Sequence, residues 1–343
     1  MTRIADGRTV KIALIGSGRM GSFHGETVSR RIPEAELVAV ADPAPDVAQR
    51  LAAALDAPRA TTDPAEVIDD PGVDAIVIAT PARTHTDLVV AAAEAGKDVF
   101  CEKPMALTLA DADRAIDAAR DAGVVLQVGF NRRFAADWES ARELLDAGTL
   151  GSPRLLRSLT RDPGGFDPSR VPLNTIFYET LIHDFDTLRF LHPAGEPTEV
   201  YATADALVEP EWRDRGLLDT AVVVVRFHDG AVGIAEACFA ASYGYDVRGE
   251  ILGAGGMVAM GDGRRNGMVF SGSAGRVIDT VRSDQELFRA AYTAELVAFV
   301  DAVRTGAPAP VSGDDARNAL AIALAAIRSV ETGAPVPMEE VTA

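Results

Sequence analysis

An apolar run from Val10 to Ile15 breaks into Gly16-Ser17-Gly18-Arg19-Met20-Gly21, and a stretch of helical composition follows to about Arg31. Three glycines at this spacing, between a strand and a helix, leave few folds open. The first permits a tight turn, the second lets backbone approach a pyrophosphate, and the third lets the helix pack close on the strand. The helix N-terminus offers free N–H groups and a partial positive charge to phosphates. Asp42 closes the next apolar run, Leu37 to Ala41, 21 residues past Gly21. A carboxylate there accepts hydrogen bonds from the adenine ribose hydroxyls and repels a 2′-phosphate, which favours NAD over NADP. The competing reading is a glycine turn in an unrelated α/β protein, with Asp42 merely solvated. Arg19 reads equally as a phosphate contact or as a solvated arginine.

The alternation continues. Asp46 to Leu55, Asp87 to Ala95 and Ala110 to Ala122 have helical composition, while Ala75 to Thr80, Val99 to Cys101 and Val124 to Phe130 have the β-branched bias of strands. Strands separated by helices at this spacing predict a doubly wound parallel sheet. After about Phe134 the pattern changes. Leu155 to Leu159, Val200 to Leu207, Thr220 to Phe227, Ala231 to Phe239 and Ile251 to Met260 are β-rich, with a hairpin signal at His228-Asp229-Gly230. These predict a mostly antiparallel, open-faced sheet with a helix at Ile182 to Phe190 packed against it. Helices are predicted over Glu286 to Arg304 and Asp314 to Glu331, and a long Pro- and Gly-rich loop over Asp162 to Thr175. The expected organisation is a Rossmann dinucleotide-binding domain over 1–128 and an α+β substrate and oligomerisation domain over 129–343, the late helices packing back on the first.

With 343 residues, 48% of them hydrophobic, the chain is long enough for two cores. A net charge of −18 argues against nucleic acid and anionic membranes as partners. Met1 to Thr9 is polar, so no signal peptide is expected, and no apolar stretch reaches membrane-spanning length. Cys101 and Cys238, the only cysteines, lie in apolar surroundings and read as free thiols in a reducing cytoplasm. The five histidines are scattered, without metal-ligand spacing, so no metal is expected.

Only three of the 33 basic residues are lysine: Lys11, Lys97 and Lys103. Lys103 sits in Cys101-Glu102-Lys103-Pro104, at a strand end. Lysine can lose its proton when buried and arginine cannot, so its retention suggests proton transfer, with a structural lysine as the alternative. Thr80-Pro81 ends the third strand and His85 follows. Ligands in such sheets bind beyond the carboxyl ends of the strands, which gathers these residues on one edge. Further along, Glu179-Thr180-Leu181-Ile182-His183-Asp184 opens a helix. His183 is a natural base for a hydroxyl proton, although alone it would also read as a core histidine. Glu179, four residues earlier, shares its face if the helix has already begun. Oxidation of an alcohol needs a hydride acceptor, a base on the hydroxyl and a cation near the developing alkoxide. Lys103 and His183 could supply the last two.

Together these residues resemble the Gfo/Idh/MocA oxidoreductases over essentially the whole chain, and within that family the inositol 2-dehydrogenases. The resembling stretches are the glycine fingerprint, Asp42, Thr80-Pro81 with His85, Glu102-Lys103-Pro104, Gly129-Phe130-Asn131-Arg132-Arg133-Phe134, Thr160-Arg161-Asp162-Pro163, Thr180 to Asp186, and Ala241-Ser242-Tyr243-Gly244-Tyr245-Asp246. The resemblance implies NAD-dependent oxidation of a cyclic polyol or sugar, with myo-inositol at C2 the first expectation. It implies that Lys103 and His183 touch the reacting hydroxyl, that Arg132 and Asp162 bind other ring hydroxyls, and that Tyr243 or Tyr245 stands near the pocket. Tyr292 would approach the nicotinamide. Gly16, Ser17, Gly18, Arg19, Met20, Asp42, Thr80, Pro81, His85, Glu102 and Lys103 would form the cofactor side. It also implies homodimers or homotetramers built by apposing open sheet faces.

One position departs from that pattern. The family usually has Asp four residues before the histidine, after a Gly-rich segment; here it is Glu179, after Asn174-Thr175-Ile176-Phe177-Tyr178. Glu179 could orient His183, raise its pKa by proximity of charge, meet a ring hydroxyl, or point to solvent. Another cyclitol, or an aldose oxidised at C1 or C3, therefore stays open as substrate. Two other classes compete: a cofactor-binding sensor on the same fold, which would need no base, and a lyase that oxidises C3 transiently, for which no leaving-group acid is evident.

Overall fold

The computed structural model describes residues 8–273 and 275–342. Residues 1–7 of the segment predicted to lack a signal peptide lie outside the described residues. The apolar runs of the first part form strands β1 (Val10–Ile15), β2 (Ala35–Ala41), β3 (Arg59–Thr61), β4 (Ala75–Ile78), β5 (Asp98–Cys101) and β6 (Leu126–Val128). Helices α1 (Arg19–Arg31), α2 (Pro45–Ala54), α3 (Ala65–Ile68), α4 (His85–Glu94) and α5 (Leu109–Ala122) alternate with them. The sheet order is β3-β2-β1-β4-β5-β6, with every pair parallel. The order reverses at β1, so the glycine turn after β1 opens at the switch point where doubly wound sheets take nucleotides. Local signals set the helix ends: Thr108 accepts the Asp111 N–H at the start of α5, and Gly123, at φ +66°, stops it. Strand β3 and helix α3 escape the sequence pattern because each is only a few residues long.

In the second part the strands are β7 (Pro153–Arg161), β8 (Pro197–Asp205), β9 (Thr220–Phe227), β10 (Val232–Cys238), β11 (Asp246–Gly253), β12 (Met257–Met260), β13 (Arg264–Gly272), β14 (Gly275–Thr280) and β15 (Val336–Pro337). Helices α6 (Ala136–Asp146) and α7 (Ile182–Phe190) flank β7, and α8 (Asp284–Leu287), α9 (Arg289–Thr305), α10 (Gly313–Thr332) and α11 (Glu339–Thr342) come late. Seven strands form one sheet, ordered β12-β11-β7-β10-β9-β8-β15, antiparallel except for β7 beside β10. The β9–β10 hairpin turns at Gly230, φ +89°, where Asp229 accepts the Ala231 N–H. Helix α7 lies so close to β10 that a Cβ on Gly233 would come within 2.9 Å of Leu188.

Two segments differ from expectation. The β13–β14 hairpin carries mostly exposed side chains with no alternation for a pattern to reveal. The histidine helix begins early, as a π-helix over Ile176–Leu181 that runs into α7. The chain divides into two compact units, one of Met1–Asn131 with Ala290–Arg317, the other of Arg132–Arg289 with Asn318–Ala343. In the first unit Leu296, Phe299, Val300 and Val303 of α9 pack with Val10, Leu14, Val77 and Phe100 of the parallel sheet.

Candidate functional site

The cofactor side is built in the first unit. Gly16 takes φ +99°, and a Cβ there would meet the Ala79 carbonyl oxygen at 2.5 Å. A Cβ on Gly21 would meet the Gly16 oxygen at 1.9 Å, so both positions require glycine. Gly18 has nothing within 4 Å of a Cβ position: the backbone lies open where a pyrophosphate approaches. Helix α1 starts there without a side-chain cap, which leaves its first N–H groups to a ligand. Ser17 Oγ is buried and has no hydrogen-bond partner among the described residues. Asp42 accepts the Ser17 N–H through Oδ2 at 2.8 Å and the Ala44 N–H through Oδ1 at 3.0 Å. Each carboxylate oxygen keeps a lone pair for a ribose hydroxyl. These residues fit a dinucleotide. Met20 is half-buried, and Arg19 is exposed on the first turn.

The strand-end residues separate into two groups. Thr80 is half-buried and hydrogen-bonded to Thr84 at 2.7 Å, and Pro81 is exposed beside it. His85 and Glu102, expected at the cofactor, are committed elsewhere. His85 is 1% exposed, with Nδ1 at 2.8 Å from the Pro104 oxygen and Nε2 at 2.7 Å from the Thr80 oxygen, so no ring nitrogen remains for a ligand. Glu102 is buried; Oε1 lies 2.6 Å from His24 Nε2, and Oε2 accepts the Lys103 N–H at 3.1 Å. Burial works to raise the Glu102 pKa, but the His24 hydrogen bond and the charges of His24, Lys103 and His85 outweigh it and hold the carboxylate ionised. Lys103 is half-buried. Tyr292, on α9, packs its ring edge-on against Phe23 at 5.2 Å and His24 at 6.0 Å.

The second unit carries the residues expected to meet a polyol. Arg132, implied by the resemblance as a hydroxyl contact, is buried in an internal network. Its Nη1 donates to Asp184 Oδ1 at 2.7 Å and its Nη2 to Thr160 Oγ1 at 2.5 Å. Asp184 also accepts from Ser158 at 2.6 Å and Thr160 at 2.8 Å. Arg133 is paired bidentately with Asp186. Two arginine–aspartate pairs thus tie the segment after β6 to helix α7, which carries His183. Asp162, half-buried at the end of β7, has its backbone locked: its N–H donates to the Cys238 oxygen and its carbonyl accepts the Ala241 N–H.

The two tyrosines part company. Tyr243 is about half exposed and donates to Asp246 at 2.6 Å. Tyr245 feels the charges of Arg132, Asp284, Asp162 and Asp184, and burial pushes its pKa up. It is the tyrosine that shares a neighbourhood with the other polyol candidates. His183 is half-buried on the first turn of α7, and Glu179 is exposed on the π-helical turn before it. Because π winding bonds each residue to the fifth rather than the fourth along, the two do not keep a plain α-helical alignment. Sequence reasoning assigned no role to His24, Ser158 or Glu295, and it named Thr160 and Asp184 only within longer stretches. His24 falls in the fingerprint helix, but its partner is 78 residues away. Among the described residues no group of three or more His, Cys, Asp or Glu is placed to hold a metal.

Residues 10–130 match the family model described as an oxidoreductase family, NAD-binding Rossmann fold, and 138–259 match the GFO/IDH/MocA C-terminal domain. The chain belongs to the Gfo/Idh/MocA oxidoreductases. This family member is 39% identical to the myo-inositol 2-dehydrogenase of Thermotoga maritima, over 97% of this chain and 99% of that one. It is 36% identical to the NAD(+)-dependent scyllo-inositol 2-dehydrogenase of Bacillus subtilis, over 96% of each. The scyllo-inositol dehydrogenase of Lactobacillus casei, solved with NAD(H) and scyllo-inositol, superposes with a TM-score of 0.93 at 26% identity, over 97% of this chain and 100% of that one. The protein is thus an oxidoreductase with an NAD-binding Rossmann domain.

Proposed function

We propose that this oxidoreductase oxidises a ring CH–OH of a cyclic polyol, with myo-inositol at C2 the best match, to the 2-keto inositol. The observation that carries the reading is the grouping of Tyr245 with Arg132, Asp162 and Asp184 in the unit that bears His183. The Tyr245 hydroxyl and the Asp162 carboxylate are of the kind that recognise a polyhydroxylated ring, and the near full-length relatives are named for inositols. When bound, NAD supplies the hydride acceptor. His183 takes the hydroxyl proton while the Lys103 ammonium stabilises the developing alkoxide, so one hydride and one proton leave the carbinol. Arg132 holds Asp184 and α7, while Asp162 and Tyr245 meet the ring hydroxyls.

The finer setting is also proposed. The free Cys101 and Cys238 suit a reducing cytoplasm. Exposed Tyr201, Val222 and Leu252 on the seven-stranded sheet suit a homodimer or homotetramer that apposes these faces; light scattering on the purified protein tests it, and a monomer would refute it. The activity is tested by NADH formation over a panel of inositols and aldoses. Highest kcat/KM on myo-inositol is expected. Preference for another cyclitol or an aldose would reassign the substrate, and no turnover on any would refute dehydrogenation.

A further inference from the structure

We propose that His24 and His85 are positioning residues for Lys103, two buried histidines that grip the backbone on either side of it, His24 through the Glu102 carboxylate and His85 through the Pro104 carbonyl. The proposal rests on the role given to Lys103 above. The grip is continuous in space. Strand β5 ends with the Glu102 N–H donating to the Ile78 oxygen, and Glu102 then turns its carboxylate back over the next peptide, accepting the Lys103 N–H. His24, from the second turn of the fingerprint helix, closes on the other carboxylate oxygen at 2.6 Å. On the far side His85, at the start of α4, holds the Pro104 carbonyl and ties it to the Thr80 carbonyl at the end of β4. Both His85 partners are acceptors, so the imidazolium satisfies both and a neutral ring only one. Gly129 is part of the seat: a Cβ there would come within 3.3 Å of Glu102 Oε2.

Packing alone does not call for this arrangement. His24 is fully buried and Glu102 is 5% exposed, and burying such a polar pair is often no more stabilising than apolar residues of the same volume. What it supplies is placement. Lysine has a long flexible stem, and a misplacement of about 1 Å can cost about 10²-fold in rate. Glu295, also fully buried, faces the same cluster, and both its carboxylate oxygens lack hydrogen-bond partners among the described residues. Burial first, and the Glu102 charge second, push its pKa well up.

A double-mutant cycle tests this, with NAD and the polyol of highest kcat/KM in the panel. His24→Leu is expected to lower kcat about 10- to 100-fold with NADH affinity, read by its fluorescence, within about threefold of the parent. His24→Gln, which can still donate to Glu102, should recover most of the loss, and His85→Gln should show a partial loss of the same kind. In a Lys103→Met background His24→Leu should cost less than about twofold more, because residues that act through one another are not additive. Should His24→Leu fail to fold, Glu102→Gln takes its place in the cycle. A folded His24→Leu or Glu102→Gln with parental kcat, or losses that multiply with Lys103→Met, would overturn the positioning role while leaving the lysine assignment intact. Parental kcat in Lys103→Met would overturn the assignment of Lys103 and this proposal with it.

Discussion

Arg132 and Asp184 form an ion pair at 2.7 Å with almost no solvent access, across 52 residues of chain. Asp184 completes its shell with the Ser158 and Thr160 hydroxyls. Breaking one side of such a pair leaves an uncompensated buried charge. Asp184→Ala is expected to cost about 3–5 kcal/mol in urea unfolding. Asp184→Asn, which still accepts hydrogen bonds, should cost less. Equal stability of Asp184→Ala and the parent would contradict the network.

Cofactor choice should follow Asp42, which already anchors the glycine turn through Ser17. The expected preference is at least about tenfold for NAD over NADP in kcat/KM, or about 1.4 kcal/mol. Asp42→Ser should narrow that ratio. Equal turnover with the two cofactors in the parent would count against the role.

Glu179 occupies the position where the resembled family usually has Asp, and here it is exposed on a π-helical turn. If its carboxylate meets the polyol, Glu179→Gln should raise the polyol KM several-fold with NADH affinity unchanged, and Glu179→Asp should move preference toward myo-inositol. Parental KM and substrate ranking in both variants would place Glu179 in solvent and shift specificity to the loop from Asp162 to Thr175.

Asp98 links stability to pH. Burial, against the Val125 N–H bond and reinforced by Asp74, raises its pKa to about 6. The native state therefore binds this proton more tightly than the unfolded chain. Ionisation costs nothing below the ordinary value of 3.8; the cost grows between that value and about 6, and is full above it. Asp98→Asn keeps an acceptor for Val125, so it should be up to about 3 kcal/mol more stable than the parent at pH 7 and nearly equal at pH 4. A stability difference that does not change with pH would count against this account.

Local chemistry by itself determined the β1–glycine–α1 turn, the placement of Asp42, the alternation that makes a parallel sheet and the β9–β10 hairpin, because each depends on residues close in sequence: backbone freedom at Gly16, apolar period, turn residues. Only the tertiary structure decided what the polar groups do. The resemblance implied His85 and Glu102 at the cofactor and Arg132 at a substrate hydroxyl. The fold pairs them with Thr80, Pro104, His24 and Asp184, most of them tens of residues away. Tyr243 and Tyr245 could not be told apart from their shared motif; the nearby charges of Arg132, Asp162 and Asp184 distinguish Tyr245. The π turn before His183 was equally hidden, since no residue spacing distinguishes a five-residue from a four-residue helical bond before packing selects one. A buried hydrogen bond depends on which groups three-dimensional packing removes from water together, and sequence proximity carries no record of that.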